Sequence, residues 1–276
     1  MMYKSAEIEK WVYPATIGGA WGASTLAQYL LKRRLDKQLE ESEKITPQEA
    51  RIILRRMGLP SHLPAISLKE HTRNAFYAEP GTARKMYRRN IYGMRDTLNK
   101  KYKDLKRKEI LEKLNHGLVG YHPDYLRAGI LAHEGGHAKI HNRPWYDPSR
   151  VNQQVLRPAG DVASILAPLG TFLGAAGAGG AVYKNTKNPF LSGAAGAGAG
   201  LLLSAILKAP TLINEYQASA HARKHLDESM KDEERKKQEK DSLRTAFGTY
   251  LTGSLAFPTL YGAALGGIGL PMIMNR

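Results

Sequence analysis

Residues 131–142 read Leu-Ala-His-Glu-Gly-Gly-His-Ala-Lys-Ile-His-Asn and place His133, Glu134 and His137 in an H-E-x-x-H arrangement. On a helix, residues four apart stack one turn above each other, so the two imidazoles can offer one nitrogen each to a shared cation. Glu134, beside the first histidine, is positioned to take a proton from a water that such a cation activates. The bland alternative is an amphipathic helix with surface histidines. Pro123 fits a first-turn proline, and the run Leu126, Gly129, Ile130, Ala132, His133, Gly136, His137, Ile140 keeps a helical stripe. The spacing therefore predicts a helix from about residue 123 to Asn142, ahead of Pro144. Gly135 and Gly136 each cost about 1 kcal/mol relative to Ala in a helix interior, so close approach of another backbone or of a substrate would explain them. His141 lies four residues further on. No glycine-made turn precedes it, so it reads as a surface residue or one that supports a ligand.

A two-histidine site needs a further protein ligand, commonly a Glu from another helix. Glu215, in Asn214-Glu215-Tyr216-Gln217-Ala218-Ser219-Ala220, is the best candidate. Its neighbours are small or apolar, which suits a buried carboxylate, whereas the chain from Arg223 onward is charged; an ordinary exposed helical Glu is the competing reading. His221 and His225 follow closely and are candidate transition-state stabilisers, between which the sequence does not choose.

The elements that position these residues can be sketched from composition. The 276 residues contain no cysteine, so disulfides and thiolate metal ligands are excluded and zinc would have to use His and carboxylate. The net charge is +16, and residues 32–110 carry 21 Lys/Arg against 10 Asp/Glu. Four stretches lack charge over bilayer-spanning lengths: 11–31, 162–183, 188–207 and 246–275. The middle two are rich in Gly and Ala, a pattern that lets membrane helices pack closely, and read as a hairpin turning at 184–189; a flexible low-complexity linker is the alternative. The first reads as an uncleaved anchor, because its basic cluster follows the apolar run. The basic segments then face the cytoplasm. Thr46-Pro47-Gln48-Glu49 is a capping box opening a short helix that closes at Gly58 and Pro60. Residues 75–78 read as extended, and 99–114 as a basic helix, either simply solvated or in contact with anionic headgroups. No helix-turn-helix, aromatic platform or zinc finger accompanies the charge, which argues against nucleic acid. The expected organisation is an anchor (1–34), a basic region with the H-E-x-x-H helix (35–160), a membrane hairpin (161–207), a segment with the third ligand (208–245) and a last membrane segment (246–276).

In its order of motifs the chain resembles the HtpX-type integral-membrane zinc metallopeptidases, gluzincins related to the CAAX prenyl-protein proteases. The residues that carry the resemblance are Asn74-Ala75-Phe76, then His133-Glu134-Gly135-Gly136-His137, the apolar pair at 162–207, and Glu215-Tyr216-Gln217-Ala218. It implies a mainly α fold with a small β element, a zincin-type protease domain with about four membrane helices. It further implies Zn2+ held by His133, His137 and Glu215, Glu134 as general base, and Asn74, Ala75 and Phe76 on an edge strand that pairs with a polypeptide substrate. The expected activity is zinc-dependent hydrolysis of peptide bonds in membrane or misfolded proteins, by an integral membrane protein whose catalytic part is cytoplasmic. Ser219 stands where the family has Asp, so the carboxylate that would orient a ligating histidine is missing. The alternative is therefore a catalytically impaired zincin-fold membrane protein with a structural or interaction role.

Overall fold

The computed structural model of the chain describes residues 25–60, 63–68, 75–124 and 126–256. Asn74, most of the apolar stretch 11–31 and most of 246–275 lie outside them. The chain divides into two compact units: Leu35–Val155 with Ile213–Phe247, and Met1–Arg34 with Leu156–Leu212 and Gly248–Arg276.

The described chain opens with helix α1 (25–41). The capping box then starts α2 (Pro47–Arg56): the Thr46 hydroxyl accepts from the Glu49 N–H and the Glu49 carboxylate accepts from the Thr46 N–H. Gly58, at φ 74°, ends that helix as expected. Strands β1 (Ala65–Ser67) and β2 (Ala75–Ala78) follow, then α3 (Pro80–Arg89), α4 (Met94–Lys101), α5 (Arg107–Lys113) and β3 (Leu118–Tyr121). The basic run at 99–114 is thus two helices. The chain leaves helical geometry at Tyr102 (φ −118°, ψ 47°) and re-enters where Glu109 accepts from the Lys106 N–H at 2.6 Å. A break there separates a row of lysines that one continuous helix would crowd.

The sheet has the order β1-β3-β2, with β1 parallel and β2 antiparallel to β3. Side chains alternate across it with the period of two that strands impose. Ala75, Val119 and Tyr121 join a core with Leu54, Met57, Leu131 and Leu226, while Ile66, Ala78 and Leu118 join another with Tyr87, Met94, Leu98 and Ile110. Central β3 is buried throughout, and β2 is left as an edge strand.

Helix α6 (Ala128–His141) holds the H-E-x-x-H residues and ends at Asn142, where the sequence places its end. It starts later than the sequence suggests, and Pro123 lies outside it. The Ile45 N–H donates to the Leu126 carbonyl and Arg127 bridges Lys44, which keeps residues 126–127 extended until Ala128. After α7 (Pro148–Val151) the second unit is built on α8 (Arg157–Thr186) and the first part of α9 (Pro189–Ser229). They are joined by a tight turn. Lys187 adopts left-handed geometry (φ 54°), and the Asn188 side chain accepts from the Phe190 and Leu191 N–H groups, capping α9. The Ser192 hydroxyl donates to the Gly179 carbonyl across this hairpin at 2.7 Å. Among the described residues one helix, Phe190–Ser229, is long and apolar enough to cross a membrane. The later part of α9 and most of α10 (Glu233–Leu251) belong to the unit that holds the sheet.

Candidate metal centre

His133 and His137 project from adjacent turns of α6 with their rings nearly perpendicular (86°) and their Nε2 atoms 3.2 Å apart. Glu215, from α9, turns Oε2 toward both, 3.1 Å from His133 Nε2 and 3.5 Å from His137 Nε2. Among the described residues these three side chains form a group that could hold a metal ion. Glu215 is 3% exposed, so its surroundings are those of a buried carboxylate. Burial alone would raise its pKa, but the hydrogen bonds and charge of the two histidines outweigh that and hold it well below the usual carboxylate range.

Each histidine is held from behind by a residue of α9. His133 Nδ1 lies 3.1 Å from the Ser219 hydroxyl, which can accept from Nδ1–H in the tautomer that leaves the Nε2 lone pair to a cation at the shared centre. His137 Nδ1 lies 3.1 Å from the Asn214 amide, whose buried Oδ1 has no partner among the described residues. A half-turn of that amide supplies the acceptor that a protonated Nδ1 requires. The place expected to lack its carboxylate is thus filled by a hydroxyl. Asn214 is a residue that the sequence reading passed over, although it sits immediately before Glu215.

The double glycine explains how α6 and α9 come this close. A Cβ at Gly136 would sit 2.5 Å from the Ala218 carbonyl oxygen and 2.8 Å from its Cα, so the two backbones are in contact. A Cβ at Gly135 would meet Sδ of Met57, the C-cap of α2, at 2.7 Å. Each glycine admits one flanking helix. At the start of α6 the carboxylate of Glu239, fully buried on α10, accepts from the Gly129 N–H at 2.8 Å and caps the helix from a distant part of the chain. Burial raises the pKa of Glu239, against the lowering effect of that hydrogen bond.

Glu134 is half-buried, and its Oε2 accepts from the Tyr77 N–H at 2.7 Å. The Tyr77 amide therefore points away from β3, to the open side of the sheet. Ala75 and Phe76 share this edge strand, paired with Tyr121 and Gly120, and Asn74 is outside the described residues. Tyr77 itself is held by its hydroxyl, which donates to the His116 carbonyl at 3.2 Å, and burial raises its pKa.

The remaining histidines take other parts. Arg143 donates to His221 Nε2 at 2.9 Å, so the His221 proton resides on Nδ1, and burial followed by the Arg143 charge lowers its pKa. The same guanidinium reaches Asp147 and Ser149. His225 is buried, its Nε2 without a partner among the described residues, and burial lowers its pKa as well. His141 is no metal-site member: it is buried beside Tyr77, with its ring nitrogens 3.3 Å from Gln154 Nε2, so it packs behind the edge strand instead of facing solvent. Compared with known proteins, no family model, no curated protein and no solved structure matches this chain.

Proposed function

We propose that this protein is a membrane-bound, zinc-dependent endopeptidase of the HtpX type, acting on membrane or misfolded polypeptides. The single observation that carries the proposal is the convergence of His133, His137 and Glu215 with Glu134 tied to the edge strand next to them. The donor chemistry suits zinc. Ligand atoms about 2.0–2.1 Å from a tetrahedral ion stand about 3.3–3.4 Å from one another, and the three edges here measure 3.1, 3.2 and 3.5 Å. Three protein ligands leave a fourth position open, the pattern of catalytic zinc sites.

A zinc ion on these ligands would supply a Lewis acid for the scissile carbonyl and lower the pKa of water. The chain's own residues do the rest. Glu134 accepts a proton from the attacking water and returns it to the leaving amine. Its hydrogen bond from Tyr77 fixes the carboxylate beside β2, the edge strand carrying Ala75 and Phe76 to which an extended substrate would add as a further strand. Ser219 and Asn214 hold the two imidazoles in the ligating tautomer. Of the two candidate stabilisers, His221 and His225, His221 has its proton set on Nδ1 by Arg143 and is in this reading the donor to a developing oxyanion. The apolar stretches 11–31, 162–183, 188–207 and 246–275 serve as spans in this reading, with the basic segments on the cytoplasmic face.

A catalytically impaired zincin-fold protein is the second reading, and it rests on Ser219 replacing an acid. The 3.1 Å contact from His133 Nδ1 to Ser219 Oγ weakens it, because the orienting acceptor is present. Glu134→Gln separates the two. Zinc content should stay at the wild-type level, and cleavage of an unfolded protein substrate should fall by about 10²-fold or more. Equal cleavage by both proteins, or none by either, sinks the peptidase proposal.

A further inference from the structure

Away from the metal centre, a cavity of about 210 Å³ opens between the later turns of α2, the Leu59-Pro60 turn, the start of β1 and the end of α4, and Arg51, Arg55 and Lys101 line it. Leu54 and Tyr102 form part of its apolar wall. Among the described residues no acidic side chain lines it, and neither Arg51 nor Arg55 has an ion-pair partner there. Elsewhere on the same unit some cations are matched, Arg235 with Glu43, Lys240 with Asp227 and Arg143 with Asp147, while exposed ones such as Arg88 and Arg89 lie on open surface and not around a cavity.

Arg51 and Arg55 are one turn apart on α2, a like-charge pair that disfavours the helix unless something offsets it. The helix C-terminal dipole favours Arg55 in the last turn. It does not account for Arg51, or for Lys101 arriving from another helix. The Lys101 ammonium is fixed at the rim by donating to the Ala65 carbonyl at 2.7 Å. The Tyr102 ring lies between Lys101 and Lys113, each 5.4 Å from its centroid. Burial and the charge of Arg51 lower the Lys101 pKa, as expected of an ammonium crowded by a like charge.

We propose that this cavity is an anion site for a phosphoryl group. Two guanidinium forks and an ammonium lining one cavity with no acidic side chain among the described residues match a multiply charged, multi-oxygen anion better than a single carboxylate. The phosphoryl group could belong to an anionic phospholipid headgroup or to a soluble phosphate, and the site does not depend on the zinc reading.

Isothermal titration of the full chain in neutral detergent, with inorganic phosphate and separately with short-chain phosphatidic acid, tests the proposal. Saturable binding of at least one is expected. Arg51→Gln combined with Arg55→Gln should weaken it by about tenfold or more. Arg88→Gln combined with Arg89→Gln removes the same charge from exposed positions on α3 and should change it by less than about twofold. Tighter binding of phosphatidic acid than of phosphate assigns the headgroup, and equal binding assigns a soluble phosphate. Lys101→Gln, judged with unchanged zinc content and melting, keeps the test open should the double variant not fold. The proposal is overturned if neither titrant binds saturably, if the cavity variants bind like wild type, or if the α3 pair loses as much. Preferential binding of a free peptide carboxylate overturns it too.

Discussion

The α6–α9 and α8–α9 helix pairs both meet at glycines, and they use them differently. Between α6 and α9 the neighbour of Gly136 is backbone, the carbonyl and Cα of Ala218, which cannot move without moving Glu215 and Ser219 on the same helix. In the α8–α9 hairpin, among the described residues, a Cβ at Gly174 would meet only the Leu203 side chain, and one at Gly177 or Gly198 would meet nothing within 4 Å. A glycine facing backbone is a condition of the site's geometry. A glycine facing a side-chain tip, or open space, is a tolerance of the helix pair.

Gly136→Ala should break this contrast most visibly. The added methyl has no room, so destabilisation of about 3 kcal/mol is expected, at the upper end for overpacking, with loss of bound zinc; metal analysis and thermal unfolding check both. A variant that keeps full zinc would show that α9 can withdraw without cost. Ser219→Ala leaves the backbones in place and removes only the acceptor behind His133, so zinc affinity should fall about 10- to 100-fold with little change in melting. Competition with a chelator measures it, and wild-type affinity would deny Ser219 its orienting part.

A smaller effect is expected at the start of α6. The folded state binds the Glu239 proton more tightly than the unfolded chain does, so the stability from this group is full below the ordinary pKa of 4.5 and is lost as pH rises through the raised value. One proton contributes a slope of at most about 1.4 kcal/mol per pH unit. Glu239→Gln, whose amide oxygen can still accept from Gly129, should flatten that slope in unfolding measured from pH 4.5 to neutral, and an unchanged slope would place the titration elsewhere. In the hairpin, Gly174→Ala should cost about 1 kcal/mol as Leu203 shifts. Gly198→Ala should be neutral or stabilise by about 0.5–1 kcal/mol through helix propensity. A Gly198 variant as damaged as Gly136→Ala would remove the distinction between the two helix pairs.

Local rules were enough wherever the partners are close in sequence. The Thr46–Glu49 capping box, the extended run at residues 75–78, the end of α6 at Asn142 and the turn near Asn188 all follow from side chains acting within a few residues. The errors arose where a distant segment intervened. Leu126 and Arg127 are held extended by Ile45 and Lys44, so α6 does not begin at Pro123. The basic run is the exception: it breaks at Tyr102, where the crowding of its own lysines is a local cause that the reading of one helix over 99–114 left out. His141 keeps the helical spacing of its two predecessors but turns to Tyr77 and Gln154.

The sequence by itself determined that His133 and His137 stack one turn apart with Glu134 beside them, because the α-helical repeat is a local property. It also determined that no thiolate can join them, since cysteine is absent. Only the tertiary structure decided that Glu215, 82 residues from His133, completes the group, and that Ser219 and Asn214 stand behind the imidazoles. It also decided that Glu134 answers to the Tyr77 amide and Gly136 to the Ala218 backbone. These contacts depend on how closely separate segments pack, and helical and strand periodicities carry no record of which neighbour will fill the space a glycine leaves.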